Sequence, residues 1–152
     1  MPQKLRKGQL VKDMKTKAYY KILSITSSGG TVAYVKPVGK KSKSITIAAS
    51  AVLDGHTFKV VAVSAKAYKG CSKLQKVTIG KNITSIGKQA FAGCKKLKKI
   101  TIKSTKLKSS SIGKNAFKGT AKKLTVKVPK KKYKVYKKFL KKKGNKTVRV
   151  TK

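Results

Sequence analysis

Short clusters of apolar residues recur along this chain at a nearly constant interval. The segment 67–74 (Ala-Tyr-Lys-Gly-Cys-Ser-Lys-Leu) returns 23 residues later at 90–97 (Ala-Phe-Ala-Gly-Cys-Lys-Lys-Leu). Each copy is followed by an alternating apolar-Thr-Ile triplet, at 77–79 and at 100–102. Such alternation is typical of a half-buried strand. Repetition at this interval indicates a protein in which each unit adds one strand to a shared sheet.

Two further copies are weaker. A third begins after 26 residues, at 112–119, and its strand pattern lies at 126–128. A degenerate earlier copy is visible at 45–47 and precedes the pair Asp54-Gly55, which predicts the two-residue turn of a β-hairpin. We therefore count four repeats.

The two ends of the chain depart from the repeat, as the ends of a repeat array must in order to cover its core. Pro129 is placed for a helix start and Gly144 for its end, so a helix is predicted over 130–143. Its apolar stripe, at spacings of three and four, comprises Tyr133, Tyr136, Phe139 and Leu140. A final strand is predicted at 147–150, and an N-terminal β-hairpin with its turn at 27–30.

These elements predict a fold of the α+β class that is mostly β. The period of 23 to 26 residues and the spacing Leu-x-x-Val-x-Ile from Leu74 are typical of leucine-rich repeats. We expect a short solenoid with a parallel strand ladder. Within one structural domain, we assign 1–40 to an N-terminal β cap, 41–128 to the repeats and 129–152 to a C-terminal cap of helix and strand.

The repeat unit resembles the BspA-like leucine-rich repeats of bacterial surface proteins, in their lysine-rich variety. The resemblance covers about residues 40–152 and rests on the pattern Ala-(Phe/Tyr)-x-Gly-Cys-x-x-Leu-x-x-(Val/Ile)-Thr-Ile. Thr120 replaces the cysteine in the third copy, and Gly80 stands where many family repeats carry proline. The resemblance implies a secreted or cell-surface module that attaches to host proteins, other cells or the envelope.

Repeat equivalence also assigns side chains to the structural core. Tyr68, Phe91 and Phe117 share one repeat position, so we expect a buried ladder of rings. Cys71 and Cys94 share another, and a separation of about one strand spacing, 4.8 Å, would permit a disulfide between them. The other interpretation, which the resemblance favours, is that both are small buried apolar residues.

The charge composition narrows the classes of function. Of 152 residues, 42 are Lys or Arg and 2 are Asp or Glu, which gives a formal net charge of +40. Hydrolytic and metal-assisted reactions need paired carboxylates or a nucleophile with a base, and the chain offers only Asp13, Asp54 and His56. We therefore expect no enzyme, no cofactor and no metal site.

Alternation along the predicted strands leaves one set of side chains on an exposed face. Ammonium groups on strands about 4.8 Å apart lie within a Debye length, so their potentials add and favour an extended polyanion. The outward residues are Ser44, Lys76, Lys99 and Thr125 in one column, Thr46, Thr78, Thr101 and Lys127 in the next, and Lys103 at the edge. The predicted polyanion-binding residues among them are Lys76, Lys99, Lys103, Lys127, Thr46, Thr78 and Thr101.

Two functional hypotheses follow. The first is a non-catalytic surface or secreted adhesion module that binds anionic polymers, namely a cell-wall polymer, an acidic glycan or nucleic acid, or else host proteins. The alternative is a cytoplasmic, non-specific nucleic-acid-binding protein. Arg6 and Arg149 are the only arginines, and lysine is poorly suited to reading bases.

Two other interpretations of the lysine excess are a solvated surface without a specific site and a membrane-active protein. If the lysines only keep the surface solvated, there is no specific polyanion site. Membrane insertion is not expected, because no apolar run approaches about 18 residues and the amphipathic helix is needed as a cap. The oligomeric state is left open.

Overall fold

A computed structural model describes residues 4–152 of the chain. Over this range the backbone forms two sheets, one α-helix and two single-turn 3-10 segments. The strands of the first sheet are β1 (Leu10–Asp13), β2 (Ala18–Thr26), β3 (Gly29–Pro37), β5 (Ser50–Leu53), β6 (His56–Val63) and β8 (Ser85–Ile86). Those of the second are β4 (Ser44–Ile47), β7 (Lys76–Ile79), β9 (Lys99–Ile102), β10 (Thr125–Lys127) and β11 (Arg149–Thr151).

The first sheet joins the N-terminal strands to the repeats. β1, β2 and β3 form an antiparallel meander, and β3 then pairs in parallel with β6. β6 also pairs antiparallel with β5 and in parallel with β8. Because β6 and β8 lie within the predicted repeat region, the N-terminal strands are hydrogen-bonded to that region through backbone groups.

Both predicted hairpins are confirmed. Asp54 and Gly55 connect β5 to β6 with φ of 50° and 75°, the left-handed pair that a type I′ turn requires. The N-terminal hairpin consists of β2 and β3, and Ser27 and Ser28 form its turn. In both places short polar or glycine residues accept the turn geometry that the sequence pattern indicated.

The second sheet is parallel throughout, in the order β11-β10-β9-β7-β4. The strands predicted for the four repeats are β4, β7, β9 and β10, and the predicted final strand, β11, joins the same sheet as its fifth strand. The final strand lies at 149–151 and not at 147–150. The polypeptide before β11 lacks the Gly-Cys pattern of the other repeats, so their equivalence to it could not be read from the sequence.

On another side of the repeats, successive turns stack by backbone hydrogen bonds. The Tyr68 amide donates to the Ala90 carbonyl at 2.7 Å, and the Phe91 amide to the Ala116 carbonyl at 2.8 Å. Gly113 lies so close to the preceding repeat that a Cβ would stand 2.3 Å from the Lys88 nitrogen. Glycine at this position is therefore required for the turns to approach each other.

A column of buried aromatic rings runs through the core. Tyr68 stacks on Phe91 with centroids 5.1 Å apart, and Phe91 stacks on Phe117 at 5.9 Å. The column continues into the first sheet, because Tyr34 stacks on Tyr68 at 5.2 Å and Tyr20 meets Tyr34 edge-on at 5.7 Å. One hydrophobic cluster thus includes both the N-terminal strands and the repeats.

The C-terminal helix is shorter than predicted. Lys130–Lys132 forms a 3-10 turn, and α1 spans only Tyr133–Leu140. Lysines at a helix N-terminus oppose the helix dipole, and the flanking residues supply no apolar group to the core. Helical structure is therefore confined to the segment whose stripe packs inward, with Tyr136, Phe139 and Leu140 buried.

The Tyr136 hydroxyl fixes this helix to a neighbouring loop. It donates to the Ser104 carbonyl at 2.8 Å and accepts from the Leu107 amide at 3.2 Å. The Tyr68 hydroxyl, by contrast, is buried with no hydrogen-bond partner among residues 4–152. The two tyrosines are equally buried but differ in what their hydroxyls contribute.

We predict opposite outcomes for removing these two hydroxyls. Tyr136→Phe leaves a buried carbonyl and amide unpaired and should lower the free energy of unfolding by about 1–3 kcal/mol. Tyr68→Phe removes an unpaired group and should leave that free energy unchanged or raise it by up to about 1 kcal/mol. Urea unfolding of both variants measures the difference. An equal loss in the two variants would contradict this assignment.

Candidate functional site

The registers of the second sheet align its outward side chains in two columns. Ser44, Lys76, Lys99, Thr125 and Arg149 are paired across neighbouring strands in the first column. Thr46, Thr78, Thr101, Lys127 and Thr151 are paired in the second. We call these ten residues, together with Lys103 directly after the end of β9, the strand face. Their chain neighbours on β7 and β9 are buried, which directs the alternate side chains outward.

The strand face carries like charges at close range. Lys76 and Lys99 are exposed and directly opposite each other on adjacent strands, an arrangement that is unfavourable without a counterion. Thr78 and Thr101, two residues further along the same strands, are half-buried between exposed lysines. The face thus combines ammonium groups with recessed hydroxyls.

The acidic residues within the described range lie elsewhere. Asp13 accepts hydrogen bonds from the Thr16 amide at 3.2 Å and its hydroxyl at 2.6 Å, in the turn between β1 and β2. Asp54 occupies the β5–β6 turn, where it borders a cavity of about 190 Å³ with the exposed His56. Neither carboxylate belongs to a strand of the second sheet, so none neutralises the strand face.

Three of the predicted residues meet at one cavity. Thr46, Thr78 and Lys103 line a recess of about 180 Å³ at the carboxyl ends of β4 and β7. Gly80 forms part of its wall, and a Cβ there would lie 2.6 Å from the Ile47 carbonyl oxygen. Glycine in place of the family's proline therefore allows β7 to approach β4 closely.

The sequence analysis did not identify two cations, one in the recess and one on the strand face. Lys81 lines the same recess, two residues after the end of β7. Arg149 extends the first column by one strand, directly opposite Thr125. Extension of the outward pattern to the final strand would have indicated Arg149, whereas Lys81 lies in a loop that periodicity does not describe. Lys76, Lys99, Thr101 and Lys127 do not line the recess.

The two cysteines are buried free thiols. The Cys94 thiol contacts the Tyr68 carbonyl oxygen at 3.0 Å, and burial raises the pKa of Cys94 to about 12. Burial also raises the pKa of Cys71, although the nearby Lys40 ammonium opposes that shift. A thiol that stays protonated is a poor nucleophile, so these residues act as small apolar groups in the core.

Within residues 4–152, no three His, Cys, Asp or Glu side chains converge where they could hold a metal ion. In the same range, the structure has no helix with the length and apolar character needed to cross a membrane.

The parallel second sheet, stacked turns and continuous core are those of a leucine-rich-repeat protein. Six copies of the BspA type Leucine rich repeat region match residues 58–150. The chain belongs to this family. The family match begins later than the resemblance noted from about residue 40. No curated protein matches the sequence.

Two solved bacterial structures share the fold. A leucine rich cell surface protein from Faecalibacterium prausnitzii A2-165 is 19% identical, with a TM-score of 0.57, over 80% of this chain and 37% of its own. A leucine-rich repeat protein from Bacteroides ovatus ATCC 8483 is 22% identical, with a TM-score of 0.51, over 76% of this chain and 37% of its own. The chain therefore spans little more than a third of either.

We predict that the folded protein protects both thiols despite its positive charge. At about pH 8, a pKa near 12 leaves Cys94 about a thousandfold less ionised than a free thiol, and burial adds a steric barrier. Labelling with a disulfide reagent should be slow in buffer and fast for two thiols in denaturant. Single Cys71→Ala and Cys94→Ala variants assign the signals. Rapid labelling of the folded protein at either position would show that this thiol is accessible.

Proposed function

We propose that this protein is a non-catalytic binding module of the cell surface whose strand face holds an extended anionic polymer. The main support is the pair of exposed lysines opposite each other on β7 and β9, with no carboxylate on that sheet. Like charges directly opposite each other on adjacent strands raise the free energy of the unbound protein. A polymer with regularly spaced anionic groups would reduce the repulsion between these two lysines and could also reach Arg149 in the same column.

The architecture supports binding along a line. We infer a short solenoid in which 41–128 supply the repeats, and in which 129–152 and the described part of 1–40, from residue 4 onward, form the caps. A solenoid of this kind presents its strands as one continuous surface. The strand face then runs from Ser44 and Thr46 at one end to Arg149 and Thr151 at the other, across five strands. An extended polymer can contact every strand of such a surface.

The side chains favour a polymer recognised by charge and hydroxyl groups. Lysine contacts anions as a hydrated point charge, so binding should tolerate variation in the polymer and weaken with salt. The rings that could stack on nucleic acid bases are committed to other contacts: Tyr68, Phe91 and Phe117 are buried. Tyr19 and Tyr133 are exposed only in part. The ammonium groups of Lys12 and Lys36 lie 5.9 and 5.0 Å from the Tyr19 ring, and two lysine ammonium groups lie 5.4 and 5.2 Å from the Tyr133 ring. These contacts favour an acidic glycan or wall polymer over nucleic acid.

The surface location is also a proposal. One structural neighbour, from Faecalibacterium prausnitzii, is described as a cell surface protein, and this chain belongs to the same broad class of repeat proteins. Retention of a surface protein on an anionic wall polymer is a task that a large lysine excess could perform. The partners would then be that polymer and the macromolecules it displays.

We predict that the strand face accounts for selective binding. Lys76, Lys99, Lys103 and Lys127 changed together to Gln should weaken binding to heparin and to a polyglycerol phosphate at least about tenfold near physiological salt. The slope of log affinity against log salt should fall by about 0.7–0.9 for each lysine that no longer neutralises an anionic group of the polymer. Binding to both polymers and to duplex DNA is measured by titration across a salt series.

The matched control removes the same charge from the turns. Lys69, Lys88, Lys114 and Lys118 are exposed there, and their change to Gln keeps the net charge equal to that of the strand-face variant. The control should bind the polymers several-fold more tightly than the strand-face variant does. Equal weakening in both variants would show that the polymers respond to net charge alone, and tighter binding of duplex DNA would favour the nucleic-acid alternative.

We also predict that anions stabilise the fold. A net charge of +40 destabilises the compact state through self-repulsion, which salt screens. The Tm should rise from low to high sodium chloride concentration. At low salt a bound polymer at about 100 times its Kd should add about 2.7 kcal/mol to the free energy of unfolding. Thermal unfolding followed by circular dichroism tests both effects, and a Tm independent of salt would argue against them.

A further inference from the structure

A third cavity, of about 230 Å³, lies where the N-terminal strands meet the edge of the second sheet. Thr16 and Lys17 of the β1–β2 turn form one wall, and Ser44 and Thr46 of β4 form the other. Ser42 stands beside β4 at the rim. The cavity therefore borders the end of the strand face but has a wall that the face does not contain.

The backbone of β4 offers free hydrogen-bonding groups to this cavity. β4 is the last strand of its sheet, and the Lys43 carbonyl accepts from the Gln75 and Lys76 amides on the side of β7. Alternate residues of a strand point their N–H and C=O groups to opposite edges. Ser44 and Thr46 therefore direct theirs away from β7, towards the cavity, where no strand among the described residues pairs with them.

The opposite wall is held in a fixed geometry. The Thr16 hydroxyl donates to an Asp13 carboxylate oxygen and accepts from the Tyr20 hydroxyl at 2.9 Å, which leaves it one lone pair. Lys17 has φ of 54°, in the left-handed region, and the Val38 amide donates to its carbonyl at 2.8 Å.

We propose that this cavity binds a single acidic sugar unit, such as a uronate. Hydroxyl and backbone groups supply the donors and acceptors that a polyol requires, and Lys17 supplies a cation for its carboxylate. Pro37, Val38 and Ile45 give an apolar surface for the C–H face of the ring. The volume lies below the about 300 Å³ at which pockets for drug-sized ligands begin, which suits one sugar unit.

This site goes beyond the strand face, because neither Lys17 nor Ser42 belongs to that face. The two sites are compatible, since Ser44 and Thr46 lie on both. An acidic glycan could place its terminal unit in the cavity and continue along the strands. No lysine of the strand face lines the cavity.

The test is a ¹H–¹⁵N NMR titration of the whole chain with glucuronate, and with glucose and acetate as partial ligands. We expect glucuronate to shift the amides of Lys17, Ser44 and Thr46 with millimolar affinity. Glucose lacks the carboxylate and acetate lacks the hydroxyls, so each should bind at least about tenfold more weakly. Glucuronate shifts spread equally over all lysine-bearing segments, or matched by acetate, would overturn the proposal.

Variants separate the cavity from other lysines. Lys17→Gln should lower glucuronate affinity about tenfold and abolish the preference over glucose, and Ser42→Ala should weaken both sugars. Lys66→Gln is the matched control, because Lys66 is also exposed and has φ of 60°. A decrease in affinity in Lys66→Gln equal to that in Lys17→Gln would refute the site.

Two further binding measurements separate the sugar site from the strand face and from strand addition at the β4 edge. The strand-face variant described above should bind glucuronate as the parent does, even if it no longer binds the polymers, so the cavity and the strand face can fail independently. A short acidic peptide offers an extended backbone to the β4 edge. Tighter binding of that peptide than of glucuronate at the same amides would assign the edge to strand addition and overturn the sugar proposal.

Discussion

Stacking of equivalent residues at one strand spacing is the constraint on which this structure depends. Backbone pairing in the second sheet and in the turns holds each repeat directly against the next. Whatever occupies one repeat position must therefore be compatible with its neighbour at about 4.8 Å. In the core, this constraint stacks the aromatic rings from Tyr34 to Phe117. Each stacked pair adds about 0.5–1.5 kcal/mol to the free energy of unfolding, in addition to the contribution of its buried area.

On the exposed face of the second sheet the same stacking is unfavourable, because it places like charges opposite each other on adjacent strands. The backbones of Lys76 and Lys99 are paired by register and cannot move apart without disrupting the sheet. The interior can tolerate this repulsion because its contacts are continuous, from the N-terminal strands through the repeats to α1. A stable core thus maintains a charged surface that the chain does not neutralise with its own carboxylates. This combination is the basis of the anion-binding role that we propose.

The two cavities of the second sheet arise where regular stacking is interrupted. One lies where Gly80 draws β7 close to β4, and the other lies where β4 ends the sheet and meets the turn that carries Lys17. Regular repeats leave little space between strands, whereas junctions leave recesses with unpaired polar groups. The proposed sugar site therefore lies at the end of the repeat array, whereas the proposed polymer site extends along the array.

The sequence by itself determined the features that repeat or that short segments specify. The 23-residue offset predicted which rings, thiols and outward lysines share a position, and Asp54-Gly55 predicted its hairpin. Only the tertiary structure decided that Tyr34 extends the ring column, that β11 becomes the fifth strand and that Lys17 and Ser42 face β4. The reason is physical: a periodic pattern fixes contacts between equivalent residues, whereas contacts between unlike segments depend on how the whole chain closes around its core.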